Sequence, residues 1–182
     1  MRHTFGFDMC MRFLRDFPGR IERAIQEGLK DCAYLVERAA KENIAYGRSD
    51  WPRLKKSTIL ARIRKTQKGR ETLARVRTLR EIGASVHYRA SVIRRELGYR
   101  PFRPLLDTGT LMRSIKSEVE GHRAIVGSSL EYAPVHEFGT TRAGRRRNVR
   151  IPARPYLRPA AEENVEEMRE LFVRRLRHVC NR

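Results

Sequence analysis

Between Arg20 and Ile44, apolar residues recur at Ile21, Ile25, Leu29, Cys32, Val36 and Ala40, while Arg23, Glu27, Lys30, Glu37 and Lys41 fall outside that line. Three- and four-residue spacing gathers the first set into one stripe of an α-helix, so the segment predicts a helix packed on a sheet. A second stripe, Ala161, Val165, Met168, Phe172, Leu176 and Val179, predicts a last helix from Pro159 to His178. Glu162, Glu163, Glu166 and Glu167 open it, and Arg169, Arg174, Arg175 and Arg177 close it. That order complements the helix dipole and permits Glu-to-Arg pairs, which accounts for the charges without any binding role.

Elsewhere the period changes to two. From Ser114 to Glu120, Ile115, Ser117 and Val119 alternate with Lys116, Glu118 and Glu120, and Ala124 and Val126 resume the alternation after Gly121-His122. A glycine followed by another residue suits a tight type II′ turn, so this is a predicted β-hairpin. Phe5 and Phe7 alternate with smaller neighbours and predict a short first strand, with Phe13, Leu14 and Phe17 leading to Pro18-Gly19. Two amphipathic helices on an antiparallel β-sheet make an α+β fold, with the helices mainly on one face.

Gly47 to Asp50 interrupts the first helix, and Asp50 is positioned to cap a helix carrying Trp51, Leu54 and Thr58, with Pro52 in its first turn. Leu73, Val76, Leu79 and Ile82 follow at mostly three-residue spacing, then Val92, Ile93 and Leu97 less regularly. Residues 66–104 read as a basic helical insertion. An arm gripping a neighbour, a helical hairpin capping the sheet and a segment ordered only on assembly all remain open for it.

Three short blocks follow. In LLDTGTLMRSI, from Leu105, Asp107 or Thr108 caps a short helix, with Leu111, Met112 and Ile115 apolar. In VGSSLEYAPVHEFGTT, from Val126, Pro134 suits the first turn of a helix and Gly139 its left-handed cap, with Tyr132, Val135 and Phe138 packing inward. In IPARPYLRPA, from Ile151, Pro152 and Pro155 remove backbone donors and hold the chain extended. Arg154 between them either pairs with a carboxylate, within or across subunits, or is satisfied by solvent.

None of the blocks has the composition of a reaction centre. Asp107-Thr108-Gly109 is a single copy without the flanking apolar strands of an aspartic protease, and Gly127-Ser128-Ser129 lacks the spacing of a nucleophile elbow. His136-Glu137 begins like a zincin motif, but Thr140 stands where the second His is needed, leaving a surface His on a short helix. With no nucleophile–base pair or carboxylate cluster visible, no enzyme activity, cofactor or metal is expected.

In their order and spacing, behind the Trp51, Leu54, Thr58 segment and ahead of an amphipathic helix, these blocks resemble the phage virion-morphogenesis family of Mu-like G proteins and tail-completion proteins. The resemblance implies a virion protein that completes the tail or joins it to the head as a ring-forming neck or connector subunit. Its partners would be other neck, connector or tail-tube proteins and further copies of itself. On that reading the assembly interface is expected around Tyr132, His136, Phe138, Arg142, Arg145, Arg146, Arg147, Arg150, Arg154 and Tyr156.

Charge adds a second expectation. The 182 residues carry a formal net charge of +19, a field that attracts polyanions such as DNA. From Arg53 to Arg103 the only acids are Glu71, Glu81 and Glu96. Arg62, Arg64, Lys65, Lys68, Arg70, Arg75 and Arg77 are therefore candidate contacts to genomic DNA in a channel. A second basic cluster, Arg142 to Arg150, lies in an aperiodic stretch, residues 140–150, expected to be a flexible loop. No helix-turn-helix, finger or basic-zipper pattern is present, so the alternative function is a basic DNA-binding protein without sequence preference.

The remaining features set bounds. The length suits a single virion-morphogenesis domain with an insertion. No apolar run approaches the roughly 20 residues of a membrane span, and the start has no signal-peptide core. The expected history is synthesis in the host bacterial cytoplasm and incorporation into a particle. Cys10, Cys32 and Cys180 are odd in number and widely spaced, which indicates neither a disulfide framework nor a zinc site, and Cys32 is expected in the core.

Overall fold

The computed structural model describes residues 5–98, 102–146 and 148–180. It is α+β, as the periodicities require, and its contacts sort the chain into two compact units: residues up to Ala40, Ile115–Ser128 and Leu157 onward, and Lys41–Ser114 with Ser129–Tyr156.

The first unit is built on helix α1, Phe5–Tyr46, whose last turns belong to the second. The expected strand at Phe5 and Phe7 and the expected break at Pro18-Gly19 are both replaced by this one helix, which carries Pro18 inside it. Two alternating phenylalanines are too short a period to outweigh a continuing helix, because an isolated strand has no ladder to satisfy its backbone groups.

Strands β1, Ile115–Glu120, and β2, Arg123–Ser128, pair antiparallel from Ile115 opposite Ser128 to Glu120 opposite Arg123. Gly121, at φ 55°, starts the two-residue turn between them. Exposure alternates along β1 as the sequence predicts, but not along β2, where Ala124 and Ile125 are both exposed. The hairpin lies on α1: Gln26 Nε2 donates to Gly121 O at 2.6 Å, the Ser117 hydroxyl donates to the Glu37 carboxylate, and Glu22 meets His122 at 3.1 Å.

The expected last helix is two helices, α7, Leu157–Glu162, and α8, Val165–Cys180. Asn164 restarts the ladder between them, its carbonyl accepting from Met168 N–H at 2.9 Å. The face of α1 turned to α8 is lined by small residues. Gly28 lies where an added Cβ would stand 2.6 Å from the Phe172 ring, and Ala24 is buried one turn away. Cys32 is half-buried and its thiol donates to Met168 O at 3.3 Å, with burial pushing its pKa up. Arg175 binds Asp31 at 2.6 Å and Glu27 at 3.3 Å. Val165, placed in the apolar stripe by spacing, is exposed.

The second unit begins at the end of α1, where Gly47, at φ 72°, donates its N–H to Asn43 O. Asp50 caps no helix. It pairs with Arg48 at 3.2 Å, and the following helix, α2, Lys56–Arg64, starts later, because buried Trp51 is held elsewhere. The insertion is a helical hairpin of α3, Gln67–Glu81, and α4, Val86–Leu97. Thr66 caps α3 by accepting from Gly69 N–H, and Gly69 stands against Ile63 O, leaving no room for a Cβ. Buried Thr72 reaches Glu96 at 2.8 Å and so joins the two helices, while Ile82, expected inside, is 72% exposed.

Helix α5, Thr110–Ser114, is the short helix of the first block. Thr108 Oγ1 accepts from Thr110 N–H, whereas Asp107 binds Lys65 instead of capping. Helix α6, Ala133–Phe138, leads into β3, Thr140–Ala143, which pairs antiparallel with β4, Val149–Ile151. The expected loop over 140–150 is thus a small hairpin, and the described residues hold two separate two-stranded ladders in place of one sheet. Among the described residues no helix is long and apolar enough to cross a membrane.

Candidate functional site

The second unit holds a polar joint assembled from the sequence blocks. Its centre is the extended run Pro152 to Tyr156. Two of its residues are prolines without an N–H, and the N–H groups of Arg154 and Tyr156 are each satisfied. Arg154 N–H donates to His136 O at 2.7 Å, and Tyr156 N–H to the Glu137 carboxylate at 2.8 Å. Two carbonyls on the same run accept from the opposite side: Pro155 O from Trp51 Nε1 at 3.0 Å and Tyr156 O from Asn43 Nδ2 at 2.9 Å. Buried backbone groups need such partners, so these bonds fix the run's position and direction.

Arg154 is only 6% exposed and binds a carbonyl, resolving both sequence alternatives against themselves: its Nε and Nη2 donate to Pro52 O at 3.2 and 3.0 Å. Burial lowers its pKa, and nearby Arg62 adds to the effect. Arg62 is half-buried and donates to Arg103 O and Pro104 O, with Asp107 3.9 Å away. Tyr156 is 3% exposed, and burial with the neighbouring Glu137 pushes its phenol up to about 12. Gly139 closes the joint at φ 74°, where a Cβ would stand 2.7 Å from Ala153 N.

Helix α6 presents a face different from the expected one. Ala133 and Glu137 are buried, while Tyr132 is 42% exposed and Phe138 66% exposed. The buried Tyr156 N–H needs an acceptor on the inner side of α6, so a carboxylate takes the position that an aromatic ring would otherwise fill. His136, expected at the surface, is half-buried and stacks edge-on with Tyr132 at 5.8 Å. Burial holds its pKa below the ordinary value, with Arg154 and Arg62 acting in the same direction, and its Nδ1 is buried without a hydrogen-bond partner. No three metal-ligating side chains meet among the described residues.

The expected interface residues therefore separate into two groups. His136, Arg154 and Tyr156 belong to the joint. Tyr132 and Phe138 are exposed on α6, and Arg142, Arg145, Arg146 and Arg150 are exposed on the β3–β4 hairpin. Arg147 lies outside the described residues. The candidate DNA contacts separate too. Arg64, Lys68 and Arg70 are exposed, while Arg62 and Lys65 are held at residues 103–107, Arg75 pairs with Glu96 at 2.6 Å, and Arg77 with Glu81 at 3.5 Å. Sequence reasoning missed Glu137, Asn43 and the Pro52 carbonyl as structural partners. The one available signal was a carboxylate four residues after Ala133 on the same short helix.

Residues 90–177 match the model of the phage virion morphogenesis family. The chain is 44% identical over 81 residues to the Mu-like prophage FluMu G protein 2 of Haemophilus influenzae, a match covering 43% of this chain and 58% of that protein. The chain thus aligns with little more than half of that relative's length. No solved structure matches it.

Proposed function

We propose that this chain has a structural role in building a phage particle, completing the tail or joining it to the head as a ring-forming neck or connector subunit; the match of residues 90–177 to the phage virion morphogenesis family supports the reading. The observation that carries this reading is the division of labour around α6. One side of the helix is locked by Glu137 and His136 O to the Pro152–Tyr156 run, and the other presents Tyr132 and Phe138. Aromatic side chains on a rigid support are the usual anchors of protein interfaces. Repetition of one such heterologous contact closes into a ring when the rotation permits. No step in this role calls on acid–base or nucleophilic chemistry. The partners are neighbouring neck, connector or tail-tube proteins and further copies of the chain, and the destination is the virion.

The test is a phage or prophage carrying a deletion of the gene, examined by electron microscopy of the particles. Unjoined heads and tails, or tails with unfinished ends, are expected, with rescue by the full chain. Complete infectious particles without the protein would overturn the proposal.

A further inference from the structure

Arginines on the β3–β4 hairpin stand in a stretch of sequence that holds no acid. Between Glu137 and Glu162 the sequence contains no Asp or Glu. Arg142, Arg145, Arg146 and Arg150 are all exposed, and none pairs with a carboxylate among the described residues. The ladder aggravates the repulsion: Thr140 pairs with Ile151 and Ala143 with Val149, so the register shift between them sets Thr141 and Arg142 opposite Arg150. Like charges opposed across strands are destabilising until an external anion screens them. The turn, with Gly144 at φ 79°, carries Arg145 and Arg146 at its exposed tip.

We propose that this hairpin is a contact for the phosphate backbone of double-stranded DNA, without sequence preference. Guanidinium forks match phosphate oxygens in pairs. A protein partner is the less suited occupant, because protein contacts centre on buried apolar anchors. Among the described residues of the hairpin, Val149 is the only large apolar one exposed, whereas the aromatics Tyr132 and Phe138 stand at α6. The helical insertion differs in carrying acids of its own, and these hold two of its cations: Glu96 binds Arg75 at 2.6 Å and Glu81 binds Arg77 at 3.5 Å. This contact does not depend on ring formation.

The experiment is a titration of the full chain against a labelled random-sequence duplex at several salt concentrations, read by fluorescence anisotropy. Affinity is expected to fall linearly with salt on logarithmic axes. The double variant Arg145→Ala with Arg146→Ala lowers that slope by about 2, at about 0.9 per phosphate lost. Arg145→Lys with Arg146→Lys retains most of the slope, and Lys68→Ala with Arg70→Ala in α3 leaves it unchanged. Absence of duplex binding at low salt would overturn the proposal. So would an unchanged slope in the alanine hairpin variant, or a loss of slope in the α3 variant. Loss of oligomer mass by light scattering with an unchanged slope would assign the hairpin to a protein partner instead.

Discussion

The Pro152–Tyr156 run and the β3–β4 hairpin are adjacent in the chain and both carry arginine, yet they use it in opposite ways. Arg154 is buried, with its guanidinium on Pro52 O and its N–H on His136 O. Arg145 and Arg146 are exposed at a turn with no internal carboxylate. A cation surrounded by fixed acceptors is part of the scaffold, and removing it strands buried polar atoms. A cation facing water adds little to the fold and is available to partners. The difference shows why counting arginines in a motif block does not locate a binding surface.

Three substitutions and one titration sharpen that contrast. The largest effect is expected for Trp51→Ala, which empties a buried ring site and removes the donor to Pro155 O. A loss of about 3–5 kcal/mol in chemical denaturation is predicted, and Trp51→Phe keeps most of the packing and loses less. Next comes Arg154→Ala, at about 1.5–3 kcal/mol, the range for hydrogen bonds made by charged groups. If Arg154→Ala melts like the parent protein, the joint is not what holds the run.

The titration concerns His136. Its folded pKa lies below the ordinary histidine value, chiefly through burial, so on acidification the unfolded chain takes up the proton first. This contribution is fully present above about pH 6.5 and is lost as the pH falls from there through the folded value. Tm should therefore fall over that window, and His136→Gln should flatten the fall. Equal slopes in the two proteins would remove His136 from the account. The smallest effect belongs to Arg145→Ala with Arg146→Ala, predicted to shift stability by less than about 0.5 kcal/mol; a large loss would make the hairpin part of the scaffold.

Much of the frame was legible because its signals are local. The stripe of α1, the β1–β2 hairpin turning at Gly121-His122 and the Gly139 cap each follow from spacing or from a glycine's freedom. The missing parts are set by tertiary contacts. The inner face of α6 is chosen by the distant N–H of Tyr156, which needs the Glu137 carboxylate, so Tyr132 and Phe138 turn outward. The α1 face toward α8 uses Ala24 and Gly28, and a search for large apolar residues overlooks a surface that works by being small. Strands β3 and β4 are too short to display a period.

The central claim, that the inner side of α6 holds the scaffold while its outer side assembles, is tested most directly by Tyr132→Ser with Phe138→Ser. Thermal melting and particle incorporation would be measured on the same variant. The account predicts a Tm close to that of the parent protein together with loss of incorporation into particles. A variant that enters particles normally, or one that unfolds along with the joint, would contradict it.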